Sequence, residues 1–311
     1  MPENKRHPYE QDLRVTIAGI TFKNPITTAS GTFSAKESGY FYDLNELGAI
    51  ITKGVSSDSW EGNKTPRIAE TYGGMLNAVG LQNPGIDDFI AKELPQLQKL
   101  DTKIIVNVAG KTLEDYYTVV EKLWHEKVDL LEINISCPNI KCGGIGFGTS
   151  PKMAAEITKG IKKRARQPII IKLTPNVTDI TEIAKAVETE GADGVSLINT
   201  LLGMKIDVHT RKPALFNKTG GLSGPAIKPV SVRMVYQVRR AVCIPIIGLG
   251  GIMTGEDVAE FIMAGADAVS IGTAALIDPL APIRIKNELI AYMERYHYKS
   301  IKEIRDGFID L

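Results

Sequence analysis

A cysteine and two asparagines follow an apolar run in the segment LLEINISCPNIKCGGIGFG, residues 130–148. The run is typical of a buried strand, and the glycines after it are typical of a loop. The segment thus delivers the thiol of Cys137 and the amides of Asn134 and Asn139 to the end of a strand. Most cysteines are structural, but a thiolate is also a base and a nucleophile. Cys137 lies between a predicted strand and a glycine-rich loop, and this position favours a role in acid–base chemistry.

Other apolar runs also end in residues that could bind or react. These strand-end positions are Ser30 with Gly31, Lys53 with Gly54, Asn107, Lys172, Asn199 with Thr200, Gly250 with Gly251, and Gly272 with Thr273. Each has an ordinary explanation by itself, because lysines usually face water, asparagines cap turns and glycines ease corners. A lysine at the tip of an apolar strand must still be neutral or find an anion or an electron-rich ring. If the strands are parallel, these residues meet at one mouth and predict a binding site.

Two loops, IIGLGGIMTGEDV and VSIGTAAL, place small residues directly before helical patterns. Small residues let backbone N–H groups converge on an anion without obstruction by side chains. Such glycines can also serve packing alone, but at these positions we expect a phosphate site. Neither loop, nor GGIGFG at residues 143–148, has the GxGxxG spacing of a Rossmann site. A complete nicotinamide site within this chain is therefore not indicated.

The elements that must position these residues alternate between short β-branched runs and amphipathic helical patterns. The runs predict strands near residues 25–29, 49–53, 103–108, 129–135, 168–173, 194–199, 244–248 and 268–272. Helices are predicted between them, for example over Leu113–Glu126, Thr181–Thr189, Pro229–Arg240 and Gly255–Ala264. Eight such units close a parallel barrel, so we predict an α/β fold of the (β/α)8 TIM-barrel type.

Two connections between the predicted strands, residues 54–102 and 200–243, are much longer than the others. Long βα insertions lie over the carboxyl-end mouth of a barrel, so both are candidate lids or substrate walls. No low-complexity linker or block of charge divides the chain. We therefore expect one domain over residues 1–311, with residues 1–12 as a mobile extension.

The composition is that of an ordinary globular enzyme. The 311 residues are 43% hydrophobic and carry a net charge of +1, which offers no general attraction for nucleic acid or an anionic membrane. Three cysteines without CxxC spacing argue against an iron–sulfur cluster in this chain, and four scattered histidines predict no metal site. No apolar stretch fits a signal peptide or a membrane span, so the expected compartment is the cytoplasm.

Strings spread over nearly the whole chain carry a resemblance to a known family. They are ASGTF, ITKGV, MLNAVGLQNPG, EINISCPN, IIIKLTPN, SLINTLLGMKID, GGLSGPAIKP, IIGLGGI and VSIGTA. Together they resemble class 1 dihydroorotate dehydrogenases. The NTLLGMKID stretch resembles the 1B subgroup in particular, as does a loop cysteine where the membrane-associated class 2 enzymes have serine. The resemblance implies an FMN-containing barrel that oxidises dihydroorotate to orotate in pyrimidine (UMP) biosynthesis.

The same resemblance implies a mechanism and a partner. Cys137 is the implied base that removes a proton from carbon 5 of dihydroorotate, while hydride passes from carbon 6 to nitrogen 5 of FMN. Lys172 would place positive charge beside the flavin and favour its anionic reduced form. Electrons would reach NAD⁺ through a partner subunit that carries FAD and a 2Fe–2S cluster. The implied assembly is a heterotetramer of two catalytic and two electron-transfer chains.

Carried over by position, the resemblance assigns the residues of the expected mouth to two groups. Those expected to hold FMN are Ser30, Lys53, Gly54, Asn107, Asn134, Lys172, Ile198, Gly224, Gly250, Gly251, Gly272 and Thr273. Those expected around the pyrimidine are Lys53, Asn77, Ala78, Val79, Gly80, Leu81, Asn134, Asn199 and Thr200. Amide side chains suit this ligand because a cyclic ureide presents both donors and acceptors.

Cys142 departs from the 1B pattern, in which an acidic or other polar residue is expected, and we interpret it as a loop cysteine without function. Two related enzymes stay open as alternatives: a fumarate-dependent 1A enzyme and a dihydropyrimidine dehydrogenase subunit, which shares the barrel and the cysteine loop. A non-redox barrel such as an aldolase or isomerase could use the same phosphate loops without a flavin. A scaffold without activity is disfavoured because the ring of site residues is complete.

Overall fold

The computed structural model describes residues 11–136 and 146–310, and eight of its strands close into a barrel. The strands are β1 (Val15–Ile17), β2 (Ile20–Phe22), β3 (Ile26–Thr28), β4 (Ala49–Ile51), β5 (Ile68–Thr71), β6 (Gly74–Asn77), β7 (Lys103–Val108), β8 (Leu130–Asn134), β9 (Ile169–Lys172), β10 (Gly194–Leu197), β11 (Leu201–Met204), β12 (Ile206–Asp207), β13 (Lys212–Pro213), β14 (Thr219–Ser223), β15 (Ile246–Leu249) and β16 (Ala268–Ile271). Around the barrel the order is β3, β4, β7, β8, β9, β10, β15 and β16, and every neighbouring pair is parallel. The predicted barrel is confirmed, and each predicted strand overlaps one of these eight.

Helices follow the barrel strands on the outside. They are α1 (Ala35–Ser38), α2 (Ile86–Asp88), α3 (Leu94–Leu97), α4 (Leu113–Lys122), α5 (Pro151–Lys162), α6 (Ile180–Thr189), α7 (Lys228–Arg239), α8 (Gly255–Met263), α9 (Thr273–Ile277), α10 (Ala281–Arg295) and α11 (Ile301–Asp306). A π-helical turn, Phe89–Glu93, joins α2 to α3, and short 3₁₀ turns cover Leu44–Glu46, Phe147–Thr149 and Pro225–Ile227. Thr112 and Thr254 begin α4 and α8 with capping boxes, which satisfy N–H groups that the helix itself leaves free. The four helices predicted from periodicity are confirmed, with ends that differ by a few residues.

The interior of the barrel changes from apolar to polar along its axis. Alternate residues of a strand point to the same side, so Leu130, Glu132 and Asn134 of β8 lie on successive levels of the interior. Leu130 packs with Ile105 and Ile170 in an apolar layer that the β1–β2 hairpin closes from below. The polar level above it is buried as well, and Asn134 lies highest. The chain therefore builds a filled barrel in which Glu132 and Asn134 lie towards the carboxyl end.

Both long connections contribute strands to one antiparallel sheet at that end, which we call the mouth sheet. Its order is β11, β14, β6 and β5. In the central pair Gly221 lies opposite Asn77 and Leu222 lies opposite Leu76, so two distant segments of the chain meet here. The expected position of the insertions over the mouth is confirmed. Their regular structure was not predicted, because each strand is short and the central pair joins residues as far apart as Asn77 and Gly221, 144 positions along the chain.

The amino-terminal segment is tied down from Asp12 onward. The backbone N–H of Asp12 donates to the carbonyl oxygen of Lys299 at 2.8 Å, beside the start of α11. Most of the extension predicted over residues 1–12 lies outside the described residues, as does the loop 137–145. Within the described residues, no helix is both long enough and apolar enough to cross a membrane.

Candidate active site

A cavity of about 300 Å³ opens at the carboxyl ends of the barrel strands, and the mouth sheet forms one of its walls. Strand ends supply Ser30, Lys53 and Lys172, and the mouth sheet supplies Asn77 and Gly221. Polar groups from distant parts of the chain converge here because parallel strands all end at the same edge.

Two asparagines and a serine form a hydrogen-bonded chain on one side of the cavity. Oδ1 of Asn134 accepts from the backbone N–H of Ser136 at 3.3 Å and from its hydroxyl at 2.7 Å. The same hydroxyl accepts from Nδ2 of Asn199 at 2.6 Å, and Oδ1 of Asn199 accepts from the N–H of Thr200 at 2.8 Å. Because Oδ1 of Asn134 is occupied, this amide presents its NH₂ group as a donor to a ligand.

The end of β6 carries a third amide, Asn77, and the loop after it runs along the cavity. Nδ2 of Asn77 donates to the carbonyl oxygen of Gly221 at 3.3 Å. Asn63 holds the loop from behind, since its Nδ2 donates to the carbonyl of Ala78 at 2.8 Å and its N–H to the carbonyl of Val79 at 2.9 Å. This wall therefore has a defined backbone conformation before any ligand binds.

Lys53 is a cation of the cavity for which residues 11–136 and 146–310 supply no counter-charge. Burial lowers the pKa of Lys53 below its ordinary value, and the like charge of Arg67 lowers it further. Among the described residues, no carboxylate pairs with this ammonium group. A partly buried charge of this kind is unfavourable until an anion joins it, so Lys53 marks the position for an anionic group of a ligand.

A second lysine is paired, and its partner lies beneath the cavity floor. Glu132 is fully buried in the barrel and accepts from Asn107 Nδ2 at 2.5 Å and from the Ser196 hydroxyl at 2.6 Å. Nζ of Lys172 lies 3.5 Å from the Glu132 carboxylate and 3.2 Å from the Ser30 hydroxyl. We call these five side chains the buried polar layer. Its hydrogen bonds and ion pair connect the cavity floor to the barrel interior.

The opposite side of the cavity is made of glycine backbone. Gly250 and Gly251 follow β15, Gly272 precedes α9, and all three line the cavity together with Gly224. Gly250, Gly251 and Gly224 have positive φ angles, which other residues adopt only with strain. A Cβ atom on Gly251 would lie 2.7 Å from Cβ of Lys228. The backbone can therefore approach a phosphate group at this wall.

The structure places nearly all of the expected site residues around this single cavity. Every residue expected near the pyrimidine lines it, and so does every residue expected to hold FMN except Asn107. Asn107 lies one level lower, opposite Glu132 in the strand register. Its Oδ1 is buried without a hydrogen-bond partner among the described residues, and a Cβ atom added to the cavity residue Gly54 would lie 2.9 Å from that oxygen. Cys137 and Cys142 lie outside the described residues. The contacts of all these residues with ligands stay predictions.

Sequence reasoning missed three residues that organise the site. Glu132 had a local signal, because a lone acidic residue within the apolar run LLEIN must be paired if the strand is buried. Ser136 and Asn63 had no comparable signal. Their roles depend on which amide or carbonyl lies beside them after folding.

The arrangement suits an anionic, planar, amide-rich ligand beside a phosphate-bearing cofactor. The Lys53 ammonium could pair with a carboxylate, the side chains of Asn77, Asn134 and Asn199 could bond to ureide groups, and the glycine wall could bind phosphate. Acid–base chemistry would come from the segment that follows Ser136.

Comparisons with known proteins point to one family. The family model described as dihydroorotate dehydrogenase matches residues 12–293. A protein of Alkaliphilus metalliredigens named dihydroorotate dehydrogenase B (NAD(+)), catalytic subunit, is 62% identical over 295 residues, which cover 94% of this chain and 98% of that protein. Proteins of the same name are 60% identical over 294 residues in Lachnoclostridium phytofermentans and 53% identical over 293 residues in Bacillus cytotoxicus. These two alignments each cover 94% of this chain, and 98% and 95% of the respective relatives.

Proposed function

Because the chain belongs to the dihydroorotate dehydrogenase family, we propose that it is the FMN-containing catalytic subunit of an NAD⁺-linked dihydroorotate dehydrogenase. It oxidises dihydroorotate to orotate in pyrimidine biosynthesis. The relatives above carry both NAD(+) and the words catalytic subunit in their names. The family match covers the barrel strands and both long connections, so the proposal concerns the whole site.

The described residues fit FMN. The glycine wall offers backbone N–H groups to its phosphate, and the strain that a side chain would meet at Gly224 and Gly251 preserves that open backbone. Lys172 would place its ammonium against the ring system, and Ser30 would keep that ammonium in place. When bound, FMN supplies the acceptor for the hydride that dihydroorotate loses.

The observation that carries the substrate assignment is that the Lys53 ammonium lies among three amides and has no carboxylate partner in the described part of the chain. Dihydroorotate joins a carboxylate to a cyclic ureide, so one ligand can neutralise Lys53 and satisfy the amides of Asn77, Asn134 and Asn199. The carboxylate gains a charge-assisted hydrogen bond from Lys53, and the partly buried ammonium of Lys53 gains a counter-charge.

We assign the base to Cys137, which directly follows the hydrogen-bonded Ser136. Its thiolate would take the proton from carbon 5 of the substrate. Ser136 anchors the amide of Asn134, so the same short segment would orient the substrate ring and bring the base to it. A thiolate is a competent base near neutral pH, whereas a hydroxyl is not without assistance.

Electrons leave the chain through another subunit. The sequence has no dinucleotide fingerprint and no cluster-spaced cysteines, so it offers no internal route from the flavin to NAD⁺. The resemblance to the 1B subgroup implies that the route lies in an electron-transfer chain with FAD and a 2Fe–2S cluster. We assign the complete enzyme two catalytic and two electron-transfer subunits.

Turnover with different acceptors tests this function. The FMN-loaded chain alone should oxidise dihydroorotate with an artificial dye but scarcely with NAD⁺, and the iron–sulfur flavoprotein partner should restore the NAD⁺ reaction. Brisk NAD⁺ reduction by the isolated chain would contradict the partner assignment. Efficient fumarate reduction without a partner would identify the 1A subgroup. Preference for uracil-type substrates would identify a dihydropyrimidine dehydrogenase subunit, and a flavin absorption band in the purified chain would exclude a non-redox barrel.

A further inference from the structure

Glu132 is the fully buried carboxylate of the barrel interior, and the reaction described above does not use it. Its side chain lies between the apolar layer below and the cavity floor above. One carboxylate oxygen, Oε1, accepts from the Ser196 hydroxyl, and the other, Oε2, accepts from Asn107 Nδ2 and faces Nζ of Lys172. Three donors therefore converge on one acid. This is the environment of an ionised carboxylate, which can only accept hydrogen bonds.

A buried charge is expensive, so its presence needs a reason. On the same strand face, the level below holds the apolar Leu130 and the level above holds the neutral Asn134, so Glu132 is the one charged side chain that β8 turns into the interior. An isolated buried carboxylate would be strongly destabilising, and pairing with Lys172 offsets that cost only in part. Stability alone therefore gives little account of a Glu–Lys pair at this level.

The position of Lys172 relates the pair to the cavity. Lys172 lines the cavity, whereas Glu132 lies behind it and does not. The ammonium lies between the Glu132 carboxylate and the Ser30 hydroxyl, which also lines the cavity. The positive charge that a bound ring system meets is thus partly balanced by a negative charge one level deeper.

We propose that Glu132 is a positioning residue that holds the Lys172 ammonium at the cavity floor and moderates its charge, and that it thereby lowers the redox potential of the bound flavin. The inference rests on the proposed FMN-dependent function and adds a determinant of how readily that flavin accepts electrons. A cation beside the flavin stabilises the negative charge that reduction creates, and a second, negative charge nearby opposes that stabilisation.

The test is the midpoint potential of FMN in the full-length, FMN-loaded chain, measured for wild type and Glu132→Gln. Glutamine keeps the shape and hydrogen-bonding capacity of the side chain but removes its charge. We expect the reduced flavin to be favoured by at least about tenfold, which corresponds to about 30 mV for a two-electron couple. Glu132→Asp keeps the charge but withdraws it from Lys172, so it should give a smaller shift in the same direction. If Glu132→Gln does not fold, the midpoint potential of Glu132→Asp decides the test.

Ser196→Ala is the matched control, because it removes the hydrogen bond to Oε1 and leaves the carboxylate and its contacts with Lys172 and Asn107 in place. It should lower stability without a comparable change of potential. An unchanged or lower potential in Glu132→Gln would overturn the inference. A shift of equal size in Ser196→Ala would also overturn it, since the cause would then be packing rather than charge.

The wild-type chain separates this inference from the function on which it rests. If wild type binds no FMN or does not oxidise dihydroorotate, the proposed function fails. If wild type does both and the Glu132→Gln potential is unshifted, only the role of Glu132 fails.

Discussion

Nδ2 of Asn199 donates a 2.6 Å hydrogen bond to the hydroxyl of Ser136, and that hydroxyl donates in turn to Oδ1 of Asn134. The two amides come from β8 and from the end of β10, on opposite sides of β9 in the barrel. A single buried hydroxyl thus fixes the orientation of both amides. In particular, it leaves the NH₂ group of Asn134 for a ligand, because an amide oxygen that already accepts twice has little capacity left.

Ser136→Ala is expected to raise the KM for dihydroorotate by roughly tenfold, because Asn134 loses the hydroxyl that sets its orientation and Asn199 loses its acceptor. The effect on kcat should be smaller, since the base and the flavin are unchanged. Steady-state kinetics and orotate titration of the flavin absorption spectrum measure both effects. Thr158→Val is the control, because it removes a buried hydroxyl from α5 that bonds only to the carbonyl of Ala154 among the described residues. An equal KM change in this control would contradict the positioning role.

Orotate affinity should depend on pH through Lys53. The ammonium is the form that binds a carboxylate, and burial and the charge of Arg67 lower its pKa in the empty site. As pH rises through that lowered pKa, the free site loses its proton and the Kd for orotate should increase. Bound carboxylate raises the pKa of Lys53, so binding in this range should take up protons.

Arg67→Gln distinguishes this effect from ionisation of the ligand itself. Removal of the like charge raises the pKa of Lys53, so the loss of affinity should begin at higher pH than in wild type. Ionisation of orotate is the same in both titrations and cancels in the comparison. Coincident pH profiles for the two proteins would argue against Lys53 as the carboxylate partner.

Gly251→Ala should weaken FMN binding by roughly tenfold or more. The residue has a φ of +85°, and the new Cβ would lie 2.7 Å from Cβ of Lys228, so the backbone beside the expected phosphate must move. Gly19→Ala is a closely matched control. Its φ is +81°, no atom lies within 4 Å of the new Cβ, and the residue lies in the β1–β2 hairpin. The control should lose about 1–2 kcal/mol of stability yet retain FMN; comparable loss of FMN from both variants would contradict a phosphate site at Gly251.

Cys137→Ser should lower the rate of flavin reduction by dihydroorotate by orders of magnitude at neutral pH, while FMN stays bound. A serine hydroxyl is a far weaker base than a thiolate. Single-turnover absorbance of the flavin measures the step directly. Cys142→Ser, the matched change five residues further on, should be nearly silent. An unchanged rate in Cys137→Ser would remove this residue from the base role.

The local pattern of the sequence determined the barrel and the position of its mouth. Each β-branched run forms a strand from its own composition, and parallel strands must end at the same edge. Lys53, Asn134, Lys172 and Gly250 could therefore be assigned to one cavity from their places at the ends of such runs. The motifs shared with a known family supplied the chemistry expected of that cavity.

Tertiary structure alone decided which of these groups touch. Asn107 ends an apolar run just as Asn134 does, but the register of β7 against β8 places it beside Glu132, one level below the cavity. The mouth sheet pairs Asn77 with Gly221, and Ser136 joins amides that are 65 residues apart in sequence (199 − 134). Strand register and side-chain contacts of this kind depend on the closure of the whole barrel, so they cannot be predicted from short-range sequence patterns.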